Sequence, residues 1–260
     1  MNDLINLVWK DLLPLVFVFI RIAVVFSLVP FFGAEIMPRR LATIIALFLS
    51  LIILPVIPPL AIDIQRLNLL TLLMYMLHEV LLGISIGLAV QVIFAGVQIA
   101  GELMGFSMGF AIVNVIDPMT GTEAPVTANF LYIIAFLLFI IMDGHHMFIK
   151  AIQESFTMAP IGMGLPRPGF YQAALTYSTG MFVIGLKLAA PVLGALLLIN
   201  VALGLISRSI PQMNIFIVSF PIMISMGLIF MIFIIKLMPF FLQEPMRNAW
   251  EYITAAMKLF

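Results

Sequence analysis

The chain is written as long apolar runs broken by short polar interruptions, and none of the runs alternates residue by residue. A helix needs about 20 apolar residues to cross a hydrocarbon core. Six runs reach or approach that length: about Leu12–Gly33, Leu41–Ile62, Leu69–Ala100, Asn129–Met142, Tyr171–Ile206 and Met213–Leu242. Spanning strands would alternate apolar and polar positions, so the pattern predicts an all-helical protein. The runs are unequal. Those at 69–100 and 171–206 exceed one upright span, and 129–142 is short unless it begins near Ala124. Pro30, Pro55, Pro191, Pro221 and Pro239 interrupt them. Membrane helices tolerate proline where neighbours satisfy the freed carbonyls, so kinked helices packed against other protein are expected.

Composition turns this pattern into a membrane assignment. Of 260 residues 64% are hydrophobic and 9% charged, against about 45–50% and about 25% in a soluble domain. Too little polar surface exists to cover an aqueous protein. The formal net charge of zero offers no basic footprint for nucleic acid. Cysteine is absent, which excludes disulfides, thiolate metal sites and cysteine nucleophiles. The opening "MNDLINLVWKDLLPLVF" lacks a small-residue cleavage site and reads as a first membrane segment.

Charge is unevenly distributed. Between Arg66 and Lys150 there is no Lys or Arg, yet Glu79, Glu102, Asp117, Glu123 and Asp143 fall there. After Ile149 there are seven bases against three acids. The asymmetry implies pairing across the fold or across subunits, or chance among 24 charges. The distribution of Lys and Arg among the loops does not decide orientation.

Two stretches read as substantial structure outside plain spans. Asp143–Gly169 begins as a short amphipathic helix and ends in a Pro/Gly loop. The other is "GELMGFSMGFAIVNVIDPMTG", residues 101–121, continued by "TEAPVTA". Gly101, Gly105 and Gly109 repeat every fourth residue, as do Gly83 and Gly87. On a helix this is a stripe that lets a second helix approach closely, the preferred reading for Gly83 and Gly87. For 101–121, four glycines, Asn114 and Asp117-Pro118 make a poor helix. Irregular backbone at membrane depth is tolerated only inside protein or along a wet cavity, which points to a lumen. Met104, Met108 and Met119 are core filler or a conforming seal, with Phe106, Phe110, Ile112, Val113, Val115 and Ile116 making it water-tight.

Arg21, Lys187 and Lys236 lie within apolar runs. Intramembrane charges face a bundle interior, a partner or a wet cavity. Lys236 is placed to snorkel. Arg21 and Lys187 are expected as buried charges bonded to carboxylates or backbone carbonyls, in structural roles. His78-Glu79 and His145-His146 lack the i, i+3 or i, i+4 spacing that sets two ligands on one helical face. They read as polar packing, with no metal site. No nucleophile elbow, phosphate loop or dinucleotide fingerprint occurs, so no enzymatic activity and no cofactor are expected.

Three motifs together resemble one family. "RIAVVFSLVPFFGAEIMPRRLATIIALFLSL" (21–51), the 101–121 segment with its Gly-Glu, Gly-Phe and Asp-Pro, and "GLKLAAPVLGALLLIN" with "PQMNIFIVSFPIMI" are similar to the FliR/SctT family of type III export-gate proteins. The likeness spans essentially all 260 residues. It implies a single export-gate domain, 1–260, of about six kinked helices arranged as hairpins. Residues 1–170 would form a FliP-like front part and 171–260 a FliQ-like hairpin.

By the same resemblance the protein is a non-enzymatic channel subunit in the bacterial inner membrane, within the flagellar basal body. Its partners would be several FliP and FliQ copies, FlhB, membrane lipid and unfolded rod, hook and filament proteins. A lumenal plug is implied at about 106–120: Phe106, Met108, Phe110, Ile112, Val113, Asn114, Val115 and Ile116. Met104 and Met108 would contribute a gasket beside methionines of FliP. Beyond the resemblance, the residue types suggest that Glu102 and Asp117 would anchor the ends of such a plug to polar partners, with Gly101, Gly105, Gly109 and Pro118 packing them. A virulence-injectisome subunit is the alternative, distinguished by gene neighbourhood. A secondary transporter stands further off, because the two parts of the chain lack paired broken segments.

Overall fold

A computed structural model describes residues 2–29, 38–58, 68–110, 126–162, 164–210 and 215–260. Seven α-helices follow one another among them: α1 (Asn2–Leu28), α2 (Arg39–Ile53), α3 (Leu69–Met108), α4 (Val126–Ile141), α5 (Gly144–Met158), α6 (Phe170–Ser209) and α7 (Ile215–Met257). No strand occurs among the described residues. The protein is an all-α membrane protein, as the unalternating apolar runs require.

The helices differ from the expected runs in instructive ways. α3, α6 and α7 have 40, 40 and 43 residues. At 1.5 Å per residue each is about 60 Å long, twice the hydrocarbon thickness of about 30 Å. These three are long and apolar enough to cross a membrane, and α4 with α5 passes the same test as a broken pair. α1 and α2 contribute shorter apolar segments, Leu12–Leu28 and Arg40–Val56. α7 continues 15 residues past the apolar run that predicted it, because its last turns bury Ala249, Tyr252, Ile253 and Ala256 on one face. Pro191 lies inside α6, and Pro221, Pro239 and Pro245 inside α7. Pro55 falls in a 3₁₀ turn that ends α2. Pro30 lies outside the described residues.

Two compact units emerge, each discontinuous in sequence. The first comprises residues 1–92, 143–178 and 247–260. Within it α1 packs on α2 and crosses α3 at glycines. A Cβ at Gly83 would come within 2.8 Å of Val24 Cβ and 2.9 Å of the Arg21 carbonyl, and one at Gly87 within 2.6 Å of Leu28 Cβ. Both glycines act as the sequence reading expects. α5 is amphipathic, burying Phe148, Ala151, Ile152, Ser155 and Phe156. Tyr177 and Tyr252 stack at 4.2 Å with planes 7° apart. Their hydroxyls reach α3, where Tyr177 donates to the Ala89 carbonyl at 2.8 Å and Ser85 donates to Tyr252 at 3.3 Å.

The second unit comprises residues 93–142 and 179–246. Its close contacts also run through glycines. A Cβ at Gly96 would lie 2.7 Å from Ile184 Cβ, and one at Gly185 would lie 2.8 Å from Ile99 Cγ2. α6 and α7 bury only 28% and 22% of their most apolar windows, against 67% for α3. They leave broad apolar faces for lipid or for other protein.

Candidate functional site

The glycine-punctuated stretch begins as helix. α3 runs on through Gly101–Met108, the first part of the 101–121 stretch whose four glycines and weak intrinsic preference argue for irregular backbone. Packing outweighs propensity here. Gly101 lies against Ala128, whose Cα a methyl at 101 would strike, and Gly105 lies against the Thr127 hydroxyl. That hydroxyl donates to the Gly101 carbonyl at 2.8 Å in a buried setting. The small side chains therefore dock the end of α3 on the start of α4.

The helix stops at Gly109. With φ of +92° this residue takes the left-handed conformation that glycine reaches without strain. Its N–H donates to the Phe106 carbonyl at 3.1 Å, and the Phe110 N–H donates to the Gly105 carbonyl at 3.1 Å. This pair of bonds is a Schellman cap. Residues 111–125 follow, so Ile112, Val113, Asn114, Val115, Ile116, Asp117 and Pro118 lie outside the described residues.

Side chains along the stem point in different directions. Phe106 is 74% exposed, while Met104 and Met108 are enclosed. Met108 fills the space beside Gly227 of α7, where a Cβ would come within 2.5 Å of its Cγ. Within this chain Met104 and Met108 pack against its own residues, Met108 beside Gly227. Helical geometry turns both sulfurs into the unit and turns Phe106 outward. Glu102 is exposed and Phe110 half-buried.

A second site gathers charge inside the first unit. Arg21 and Glu79 are both fully buried. The guanidinium meets the carboxylate with two parallel bonds, Nε to Oε2 at 2.5 Å and Nη2 to Oε1 at 3.0 Å. Nη1 donates to Ser155 Oγ at 2.9 Å, and Nη2 also donates to the Ala159 carbonyl at 3.0 Å. Ser155 in turn donates to Ile152 O at 2.7 Å. The ring of Phe156 lies 4.1 Å from the guanidinium carbon, a cation–π distance. Arg21 thus ties α1 to α3 and to the C-terminal end of α5, whose carbonyls favour a cation. Beside it, His78 Nδ1 is 2.7 Å from the Gly164 carbonyl, and its ring meets Phe260 edge-on at 5.0 Å.

Lys187 departs from expectation. It is 54% exposed and reaches Glu244 at 3.2 Å, so it is paired but not buried within the chain. Its position on the sparsely covered face of α6 is the reason. Lys236 is exposed. The described ion pairs do not join the acid-only stretch to the base-rich end. Glu79 pairs with Arg21 on its N-terminal side, while Lys187–Glu244, Lys150–Glu154 and Arg247–Glu251 are internal to the C-terminal part.

Sequence reasoning missed Ser155, Thr127 and the Ala159 carbonyl. Ser155 had a legible signal, being a hydroxyl within the apolar stripe of an amphipathic helix. Thr127 and Ala159 had none, since only folding brings them to their partners.

The chain matches the model of bacterial export proteins, family 1, over residues 12–249. It is 36% identical over 242 residues to the flagellar biosynthetic protein FliR of Bacillus subtilis (strain 168), covering 89% of this chain and 88% of that protein. It is 34% identical to FliR of Pectobacterium carotovorum subsp. carotovorum, with 96% and 94% covered. Against FliR of Escherichia coli (strain K12) the identity is 32%, with 80% and 79% covered. Long apolar helices that cross at glycines among the described residues, and relatives of this similarity over nearly the whole chain, lead to one assignment: the chain belongs to bacterial export proteins, family 1, the family of the flagellar FliR proteins.

Proposed function

We propose that the protein is a structural, non-enzymatic channel subunit of the flagellar type III protein export gate in the bacterial inner membrane. The observation that carries the reading is family membership over residues 12–249 with relatives named for flagellar biosynthesis. In this reading the chain joins several FliP and FliQ copies and FlhB, and the assembly passes unfolded rod, hook and filament proteins. Residues 1–170 form the FliP-like part and 171–260 the FliQ-like hairpin. The uncovered apolar faces of α6 and α7 support a role among neighbours, since lipid and partner helices both accept such surfaces.

The central segment serves as the plug. Its stem is the end of α3, clamped by Thr127 and terminated at Gly109. Phe106 and Phe110 stand where the stem gives way to the seal residues Ile112–Ile116. Met104 and Met108 back the stem from inside. The test is deletion of Ile112–Ile116 in cells, read as small-ion permeability and as secretion. Raised permeability with secretion retained is the expected result. Unchanged permeability and normal secretion overturn the plug.

A further inference from the structure

We propose that Asp143, His145 and His146, at the start of α5, form a binding site for a divalent first-row transition-metal ion of the zinc type. One ligand atom from each residue lies within 4.8 Å of the other two. Two imidazoles and a carboxylate are the donor set that zinc and its neighbours prefer over magnesium or calcium. Sequence spacing argues against this site, because adjacent residues on a helix diverge by about 100°. The two imidazoles nonetheless lie 4.1 Å apart, and Asp143 joins them from outside the helix.

Asp143 is the one non-glycine residue with positive φ among the described residues, at 58°. Aspartate tolerates this left-handed conformation better than most side chains. An aspartate before a helix ordinarily caps it by accepting from the backbone of the first turn. Here the Asp143 side chain makes no capping bond. Only its backbone carbonyl serves the helix, accepting from the His146 and Met147 N–H groups at 3.0 and 3.1 Å. The carboxylate is turned instead to the His146 ring, with Oδ1 3.0 Å from Nδ1. Two donors at about 2.0–2.1 Å from one tetrahedral zinc are about 3.3 Å apart, close to this separation.

His145 supplies the independent observation. Its Nδ1 is buried with no hydrogen-bond partner, a state that costs free energy unless something else occupies the lone pair or proton. Its ring lies 4.1 Å from that of His146, with planes 38° apart. Asp143 and His146 are exposed, so a cation arrives from outside and these two side chains exchange their mutual contact for it. The cation one turn further along, Lys150, is engaged by Glu154 at 3.7 Å and lies 5.5 Å from the Trp250 ring. Three protein donors leave a fourth position open to water or to a neighbouring group.

The experiment uses the full chain in detergent with an affinity tag free of histidine, titrated with Zn²⁺ against a chromophoric zinc indicator. The chain has three histidines and no cysteine, so background is low. One equivalent of Zn²⁺ is expected. His146→Ala and Asp143→Asn should each weaken binding by more than about tenfold, since even an outer-shell substitution costs 10–100-fold. Asn keeps the left-handed backbone, and both positions are on the surface, so helical circular dichroism should be unchanged. Absence of stoichiometric binding overturns the site. So does binding that survives either substitution, which would leave only a hydrogen-bonded Asp–His pair or an ion held elsewhere.

Discussion

Arg21 and Glu79, 58 residues apart in sequence, close on each other through two parallel hydrogen bonds at a place neither solvent nor lipid reaches. A guanidinium fits a carboxylate in this two-pronged way and lysine does not. The two remaining donations, to Ser155 and Ala159, are what make the cation tolerable there.

Breaking such a pair from one side strands a charge. Arg21→Met or Glu79→Leu alone should destabilise the chain by about 3–5 kcal/mol, whereas the double replacement should recover much of the loss. Thermal unfolding of the three variants in detergent reads this directly. Equal loss in singles and double would mean that packing, not charge, sets the cost. Arg21→Lys should resemble a single removal, because one ammonium cannot serve three partners in a plane.

Two glycines should respond oppositely to the same change. Gly101→Ala places a methyl against the Ala128 backbone, and overpacking of this kind costs about 1–3 kcal/mol. Gly194 has nothing within 4 Å of an added Cβ and lies within α6. Gly194→Ala should be neutral or stabilising by up to about 1 kcal/mol. The midpoint of thermal unfolding separates them, and a similar shift for both would remove the special role of the α3–α4 crossing.

Gly109 should be the sensitive point of the stem. Its φ of +92° and the approach of Phe220 Cε1 to 3.0 Å of an added Cβ both oppose a side chain. Gly109→Ala should cost about 1–2 kcal/mol, and Gly109→Asn less on conformational grounds. Amide exchange of Gly109 and Phe110, whose N–H groups make the two cap bonds, should quicken in Gly109→Ala. Unchanged protection would show that the cap does not hold the helix end.

The stacked tyrosines divide ring from hydroxyl. Tyr252→Phe gives up one long hydrogen bond to Ser85, 3.3 Å, and should cost about 1 kcal/mol or less. Tyr252→Ala removes a buried ring from Tyr177 and should cost about 3–5 kcal/mol. Comparable losses in the two variants would place the energy in the hydroxyl.

Much of the fold is legible in the sequence because apolar length is a local property. The unalternating runs specify helices, and lengths beyond 30 residues specify helices too long for one upright span. Gly83 and Gly87 announce a close crossing because their spacing repeats on one helical face. Arg21, a cation in an apolar run, announces an enclosed partner. In each case the physical demand lies in the residue itself or in its near neighbours.

The tertiary structure decided the rest, because the deciding forces act between residues far apart in the chain. Gly101–Met108 is helical despite its composition, since contact with Thr127 and Ala128 rewards small residues more than intrinsic preference penalises them. Arg21 takes Glu79, Ser155 and Ala159 as partners, which no spacing specifies. Lys187 is left half exposed because α6 finds little cover within the chain. Asp143 joins His145 and His146 from a backbone angle outside the helical range, just before α5 begins. Local sequence sets which backbone shapes are cheap, and burial against distant partners selects among them.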